Sequence, residues 1–226
     1  MEKTTSIKVK NKQVILVAGG YSVLDGINLG LWEKLKKSKL ELWSLNYSAM
    51  YMPYLPTREI WTDIKFFRKN VENLQSLNEK GVECYAKSHV YYNTILAIHQ
   101  INCTREQINK LDLYVGEWGF VGMMALSMAV REKYNEIYLL GYDFGCQAKD
   151  IDKKLTHWYQ EYNFDKYSTG VGAPHVYLLK DGKVNRVVKD FNVYKDYKNI
   201  YNVSQISNID SFTKISYNNM FDKIKL

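Results

Sequence analysis

The chain has 226 residues, of which 46% are hydrophobic, so it can build one sizeable core but not two comfortable domains. Its formal net charge of +7 suits an anionic ligand such as a nucleotide, although scattered lysines also solvate an ordinary surface. The chain starts without an apolar signal sequence, no apolar run approaches the roughly 18 residues of a membrane span, and the cysteines lack metal-ligand spacing. We therefore expect a cytoplasmic chain that forms a single domain over 1–226 and has no membrane span.

The first half of the chain alternates between strand and helix patterns. The apolar run 13–18 predicts a buried strand that ends at a pair of glycines, and the apolar spacing over 25–37 predicts an amphipathic helix. A second helix is predicted over 64–77 by the same spacing. Three further short apolar runs predict strands over 40–45, 59–62 and 82–86.

The second half continues the alternation around a polar insertion. Residues 119–133 predict a helix that is apolar almost all round and hence buried, and 136–140 predict another central strand. Residues 146–173 are polar and aromatic, which favours a lid, and the Asp-Gly pair within 176–188 predicts a β-hairpin; together they form an insertion over 146–190. Two late strands and a closing helix are predicted over 200–203, 212–215 and 217–224.

This alternation predicts an α/β fold of the Rossmann-like class. The sheet should be mostly parallel and doubly wound, with helices on both faces and a lid-like insertion. In such sheets the carboxyl ends of the strands share one edge, and ligands bind there. Candidate functional residues are therefore expected directly after each predicted strand.

A glycine turn follows the first strand, and polar side chains follow the next two. Gly19 and Gly20 allow a tight turn whose amides can face an anion near a helix start, and Ser22 adds a hydroxyl. The alternative is a tight strand-to-helix turn with no ligand. Asn46 and Asp63 end the next two strands, where they can contact a base or ribose or can instead cap the following helices.

A second glycine turn follows the strand over 136–140. Gly141 and Tyr142 precede Asp143, whose carboxylate can bind a sugar hydroxyl, hold a metal or brace a loop. Gly122 opens the apolar helix that comes before this strand. Gly122, Gly141 and Tyr142 are predicted to contact the nucleotide, although a small residue at Gly122 also permits close packing. His157 lies among aromatic residues in the long loop that follows, and a histidine there suits a general base, although loop histidines are also structural or exposed.

At these residues the chain resembles a known group of proteins. The segments 14–22, 121–122 and 136–144, with Asn46 and Asp63 between them, are similar in order and spacing to bacterial lipooligosaccharide sialyltransferases. They also resemble the wider family of 6-hydroxymethylpterin diphosphokinase-like proteins, whose members are common in phages. The late segment 201–212 is similar to the closing strand of these proteins, in which an Asn-x-Ser-x-x-Ser pattern recurs.

The resemblance implies a Rossmann-like fold with a nucleotide over the carboxyl edge of the sheet. It implies that Gly141 and Asp143 hold the nucleoside or sugar part and that His157 deprotonates the acceptor hydroxyl. It also implies contacts to the nucleotide from the first glycine turn and the two following strand ends, at Gly19, Gly20, Ser22, Asn46 and Asp63.

Three functions follow as hypotheses. The leading one is a nucleotide-dependent transferase, a sialyltransferase-like glycosyltransferase that uses a nucleotide-activated sugar and His157 as base. The second is a diphosphotransferase acting on a small alcohol, which needs Mg²⁺ and would use Asp63 and Asp143. The third is a non-catalytic nucleotide-binding or sequestering protein, such as a phage accessory factor. The expected partner is a small nucleotide or nucleotide-sugar; homo-oligomers occur among the sialyltransferase-like proteins, no other cofactor is implied, and no nucleic-acid-binding motif is present.

Overall fold

The sheet is the part of the molecule that decides where a ligand can bind. A computed structural model of the chain describes residues 12–38, 40–86, 120–144, 157–161 and 183–225. Within them, seven strands form one wholly parallel sheet in the order β4-β3-β2-β1-β5-β6-β7. In chain order the strands are β1 Gln13–Val17, β2 Glu41–Leu45, β3 Arg58–Trp61, β4 Glu83–Ala86, β5 Glu136–Leu140, β6 Ile200–Asn202 and β7 Thr213–Lys214. The predicted Rossmann-like α/β fold is confirmed.

The strand order reverses between β1 and β5. From β1 the chain builds outward through β2, β3 and β4, and then returns to add β5, β6 and β7 on the other side. The ends of the two central strands are level, because Val17 of β1 pairs with Leu140 of β5. In open α/β sheets, loops leaving the carboxyl ends of two such strands run in opposite directions, and ligands usually bind between them. This region is called the crevice below.

Helices cover both faces of the sheet. The helices are α1 Val23–Asn28, α2 Leu31–Lys37, α3 Ser48–Tyr51, α4 Ile64–Glu79, α5 Val121–Arg131, α6 Lys183–Asp190 and α7 Tyr217–Lys223. The first layer covers one face of the sheet. It is formed by α1–α4, α7 and two aromatic residues of a short 3₁₀ turn over Trp158–Glu161. The second layer is formed by α5, α6 and a 3₁₀ turn over Phe191–Tyr194. None of the helices in the described ranges is long and apolar enough to cross a membrane.

The position of helix α5 explains why its sequence is apolar on every side. It lies across β1, β2 and β3, and its residues from Gly122 to Ala129 are all buried. The predicted single helix over 25–37 is instead two short helices, α1 and α2. Gly30 separates them with a φ of +76°, a conformation that ends one helix before the next begins.

The predicted hairpin over 176–188 is wrong in the part that the structure describes. Residues Lys183–Asp190 form helix α6 rather than a strand. Val187 and Phe191 are four residues apart and both are buried in the second layer, which is helical spacing. The rest of that hairpin and most of the predicted lid over 146–173 lie outside the described residues. The described piece of the lid, 157–161, contains Trp158, whose side chain is fully buried.

Candidate functional site

Two glycine turns meet where the strand order reverses. Beyond the last paired residues of β1 and β5, the backbone amide of Ala18 donates to the Leu140 carbonyl at 2.8 Å, and that of Gly20 donates to the Gly141 carbonyl at 3.0 Å. Gly141 has a φ of +71°, and a Cβ there would lie 2.8 Å from both the Ala18 carbonyl oxygen and the Gly20 nitrogen. Glycine is therefore required at Gly141 by both its conformation and the close approach of the two turns.

Asp143 braces the first glycine turn from the second. Its side chain is only 5% exposed, and it accepts hydrogen bonds from the Ser22 amide at 2.9 Å and the Ser22 hydroxyl at 2.5 Å. Burial raises the pKa of Asp143, and the nearby hydroxyl of Ser204 together with Ser22 opposes that rise. Of the three roles considered for Asp143, bracing a loop is the one that these contacts form.

These contacts also use two of the backbone amides that were predicted to face an anion at the first glycine turn. The amide of Gly20 donates to Gly141, and the amide of Ser22 donates to Asp143. The Asp143 carboxylate thus occupies a place at the start of α1 that an anion would otherwise take. A phosphate bound at this turn would have to be held by other groups.

The segment after β6 clasps the second turn from its other side. The Ser207 hydroxyl donates to the Tyr142 carbonyl at 2.6 Å and accepts from the Asn202 amide group at 2.8 Å. The backbone amide of Asn208 donates to the Asp143 carbonyl at 3.0 Å. Sequence reasoning singled out the Asn-x-Ser-x-x-Ser pattern here only as a resemblance. Its geometric function is to hold the second turn against the first.

Replacing Ser207 with Ala should loosen this clasp. The substitution leaves the Tyr142 carbonyl, the Asn202 amide group and the Ile209 amide without their buried partner, so we expect a loss of about 2 kcal/mol of unfolding free energy. Urea denaturation measures this loss. Ser211→Ala, which removes a more exposed hydroxyl bonded to Asn192, is the matched control and should cost less than about 0.5 kcal/mol. Equal losses in the two variants would contradict the clasp.

Gly122 and Tyr142 serve packing in the second layer. The Tyr142 side chain is fully buried, and its hydroxyl donates to the Gly122 carbonyl at 3.0 Å. A Cβ on Gly122 would lie 2.9 Å from the Tyr142 ring, so a glycine there permits the close approach that the sequence suggested as an alternative. The two residues thus contact each other inside the second layer, where Gly122 and the Tyr142 side chain are both buried.

His157 is brought to the first glycine turn by its neighbours. It forms an isolated antiparallel bridge with Gly20, while the Trp158 amide donates to the Gly19 carbonyl at 3.0 Å. The Trp158 indole donates to the Ala18 carbonyl at 3.1 Å. Of the predicted site residues, the structure thus brings together six at this crevice: Gly19, Gly20, Ser22, Gly141, Asp143 and His157.

A column of stacked rings supports His157. The His157 imidazole stacks on Tyr159 with ring centroids 5.1 Å apart and planes at 25°. Tyr159 in turn stacks on Tyr51 of α3 at 5.4 Å and 15°. In the sequence, Tyr159 is only one of several aromatic neighbours of His157, and Tyr51 has no feature that links it to them. Their stacking order depends on contacts between distant parts of the chain.

Asn46 and Asp63 follow the ends of their strands as predicted, and these strands are respectively one and two places away from β1 in the sheet. The Asp63 side chain accepts from the Lys65 amide at 2.7 Å and caps α4, so the capping alternative is realised there. Asn46 does not cap α3, whose N-cap is Tyr47. Asn46 has a φ of +53°, and its side-chain oxygen is buried without a hydrogen-bond partner among the described residues.

No metal-binding cluster among the described residues and no similar protein adds to this site. The described residues contain no group of three or more His, Cys, Asp or Glu side chains that could hold a metal ion. Comparison of the chain with protein-family models, with curated proteins and with solved structures finds no match.

Proposed function

We propose that the protein is a nucleotide-dependent transferase of the glycosyltransferase class, acting on a nucleotide-activated sugar. The observation that supports this most is that His157 and the two glycine turns meet where the strand order reverses between β1 and β5. That position is the usual ligand site of open α/β sheets. A nucleotide would lie over the carboxyl edge, with the Asn46 side chain one strand away at the end of β2.

In this proposal His157 acts as general base. It would take the proton from the acceptor hydroxyl as that oxygen bonds to the anomeric carbon of the sugar. The bond from that carbon to the nucleotide phosphate breaks at the same time, and the departing phosphate keeps the electron pair. Asp143 would contribute by holding the two turns together, since its carboxylate oxygens accept hydrogen bonds from Ser22.

A non-catalytic nucleotide-binding or sequestering protein, such as a phage accessory factor, is the second candidate. The observation in its favour is that the Asp143 carboxylate, predicted as a candidate catalytic group, accepts hydrogen bonds from Ser22 and braces the turn. The diphosphotransferase hypothesis gains no such support. Asp63 follows β3 and Asp143 follows β5, three strands away, so their backbones are separated by about 14 Å across the sheet. One Mg²⁺ ion cannot be bound by both.

A thermal-shift panel tests the proposal. The panel contains CMP, UDP, GDP, ADP, ATP and CMP-sialic acid, each with and without Mg²⁺. At a ligand concentration about 100 times Kd, binding to the native state adds roughly 2.7 kcal/mol, which raises the Tm by several degrees. We expect a rise that needs no metal with one nucleoside monophosphate or diphosphate. A rise that requires both ATP and Mg²⁺ would instead support diphosphate transfer.

The His157→Ala variant separates catalysis from binding. It should keep the thermal shift and lose sugar transfer if His157 is the base. If the wild type binds a nucleotide and transfers no sugar from it, the non-catalytic candidate replaces the transferase. If none of the six ligands shifts the Tm, the nucleotide-site proposal fails.

A further inference from the structure

A cavity lies at the edge of the sheet opposite the two glycine turns. Its volume is about 680 Å³, which is within the usual range for small-molecule sites in proteins. It is bounded by the end of α5, by the beginnings of β5 and β6, and by the segment 194–199. The described residues that line it are Val130, Arg131, Lys133, Tyr134, Asn135, Ile137, Tyr194, Tyr197 and Asn199. The cavity is therefore separate from the crevice, which lies at the carboxyl ends of the strands.

Tyrosine rings and one aliphatic side chain form the apolar part of the cavity wall. Tyr134 and Tyr194 are 3% and 9% exposed, and Ile137 has no exposed surface. Tyr197 is 46% exposed and meets Tyr194 edge to face, with ring centroids 5.7 Å apart. Aromatic rings in such arrangements attract one another beyond the burial of their surfaces. This wall therefore favours a ligand with a planar ring, which can lie against the exposed Tyr197.

The charged residues that line the cavity are both cations. Arg131 is in the last turn of α5, Lys133 follows two residues later, and both residues are exposed. None of the nine lining residues that the structure describes is acidic. An arginine guanidinium presents two parallel N–H groups to a phosphate, and a lysine ammonium acts beside it as a point charge.

The acidic residues that are close to the cavity in sequence do not cancel this charge. Glu132 and Glu136 pair with cations that do not line the cavity, which are Lys12, Arg58 and Lys223. Asp196 is exposed in a segment that also carries two lysines, Lys195 and Lys198. The surroundings of the cavity are therefore positive, which favours an anionic ligand.

Lys133 has a backbone conformation that usually belongs to glycine. Its φ is +58°, and it directly follows Glu132, the C-cap of α5. The Lys133 amide donates to the Val130 carbonyl at 3.0 Å, and the Tyr134 amide donates to the Ala129 carbonyl at 3.3 Å. This is the pattern of a Schellman motif, in which glycine is the favoured residue at the Lys133 position. A lysine there is unfavourable for the helix end, but it supplies the cavity with its second cation.

A cationic ligand fits the cavity less well than an anion. The end of α5 carries the partial negative charge of the helix dipole. However, three of its last carbonyls already accept backbone amides, namely those of Met128, Ala129 and Val130. With these acceptors used and no lining carboxylate among the described residues, the two lining cations dominate the electrostatics of the cavity.

We propose that this cavity is a second ligand site, which binds a phosphate monoester carried on an aromatic or heteroaromatic ring. A phosphate monoester has a charge of about −1.5 to −2 at pH 7, which Arg131 and Lys133 together balance. The ring of the ligand lies against Tyr197. The site does not rest on the proposed function, because it shares no residue with the crevice.

Isothermal titration calorimetry with 2-naphthyl phosphate tests the proposal. This probe joins a planar ring to a phosphate monoester, while 2-naphthol and inorganic phosphate supply each part alone. We expect one probe to bind per chain with a Kd below about 1 mM, and each fragment to bind at least about tenfold more weakly. The proposal is overturned if the probe shows no saturable binding, or if inorganic phosphate alone binds as tightly as the probe.

Three variants show whether the probe lies in this cavity. Arg131→Gln and Lys133→Gly each remove one lining cation and should raise the Kd about tenfold. Tyr197→Ala removes the exposed ring and should raise it about threefold. Arg68→Gln removes an exposed guanidinium of α4 and should leave the Kd within about twofold of the wild type. A Kd that is unchanged in the first two variants, or raised equally by Arg68→Gln, would overturn the assignment.

Lys133→Gly also separates binding from stability. Because glycine suits the positive φ at this position, the variant should have a Tm at or above that of the wild type. Weaker binding by a protein that is at least as stable as the wild type cannot be a consequence of unfolding. A nucleotide that binds at the crevice should still raise the Tm of Arg131→Gln, so failure of one site is distinguishable from failure of the other.

Discussion

The Gly20→Ala variant is expected to lose about 3 kcal/mol or more of unfolding free energy. A Cβ at Gly20 would collide with the carbonyl oxygen of Gly141, and it would lie 2.6 Å from the Asp143 carboxyl carbon. That carbonyl is backbone, and it accepts the Gly20 amide itself, so neither side of the contact can move without breaking the junction of the two turns. Urea denaturation of the two proteins measures the loss.

Gly19→Ala is the matched comparison one residue earlier. A Cβ there would collide with the His157 ring and lie 2.9 Å from the Tyr159 hydroxyl, which are side-chain atoms of the docked segment. The segment can give way while the sheet stays intact, so we expect a smaller loss, about 1 kcal/mol, together with increased exposure of Trp158. A Gly20→Ala protein as stable as the wild type would show that the two turns do not touch.

The sheet was predictable because its strands are buried on both faces. A central parallel strand is a short continuous apolar run, and the run over Glu136–Leu140 has the same limits in the sequence and in the structure. Helix α5 was predictable for the same reason. The division between α1 and α2 was missed because the apolar spacing continues across Gly30, and the positive φ of that residue leaves no mark in the pattern.

The hairpin prediction was wrong because the turn residues and the strand propensity of this segment both favoured a hairpin. An Asp-Gly pair beside several valines is typical of a hairpin, but Val187 and Phe191 are both buried against the second layer. The burial of these two residues, which are spaced as on one face of a helix, favours the helix over a strand. Local propensity is a weak guide where tertiary contacts bury one face of a short segment.

The candidate site was predictable in part from strand topology alone. Gly19, Gly141 and Asp143 follow strands that a parallel sheet must align at one edge, so their meeting follows once β1 and β5 are neighbours. The burial of Glu59 of β3 could not be predicted, because only the cross-strand register places this residue opposite Ser44 in the interior of the sheet. The docking of Trp158 on Ala18 joins residues 140 positions apart and has no local signature.

Trp158→Ala should cost about 3–5 kcal/mol of unfolding free energy. The indole is fully buried between the first glycine turn and the first layer, with its ring 5.7 Å from Trp32 and 6.4 Å from Tyr51. Truncation leaves a large cavity and removes the hydrogen bond to the Ala18 carbonyl. Equilibrium unfolding in urea measures the change, and near-ultraviolet circular dichroism reports whether the remaining aromatic packing is retained.

Two controls divide this loss into its causes. Trp158→Phe keeps a ring in the cavity but leaves the Ala18 carbonyl without its indole donor, so it should cost less, about 1–2 kcal/mol. Tyr197→Ala, at a ring that is 46% exposed, should stay within about 0.5 kcal/mol of the wild type. A Trp158→Ala protein that loses less than about 1 kcal/mol would show that the 157–161 segment is not part of the core. Since Trp158 anchors the segment that carries His157, the same variant should also lose any nucleotide-induced rise in Tm that depends on that segment.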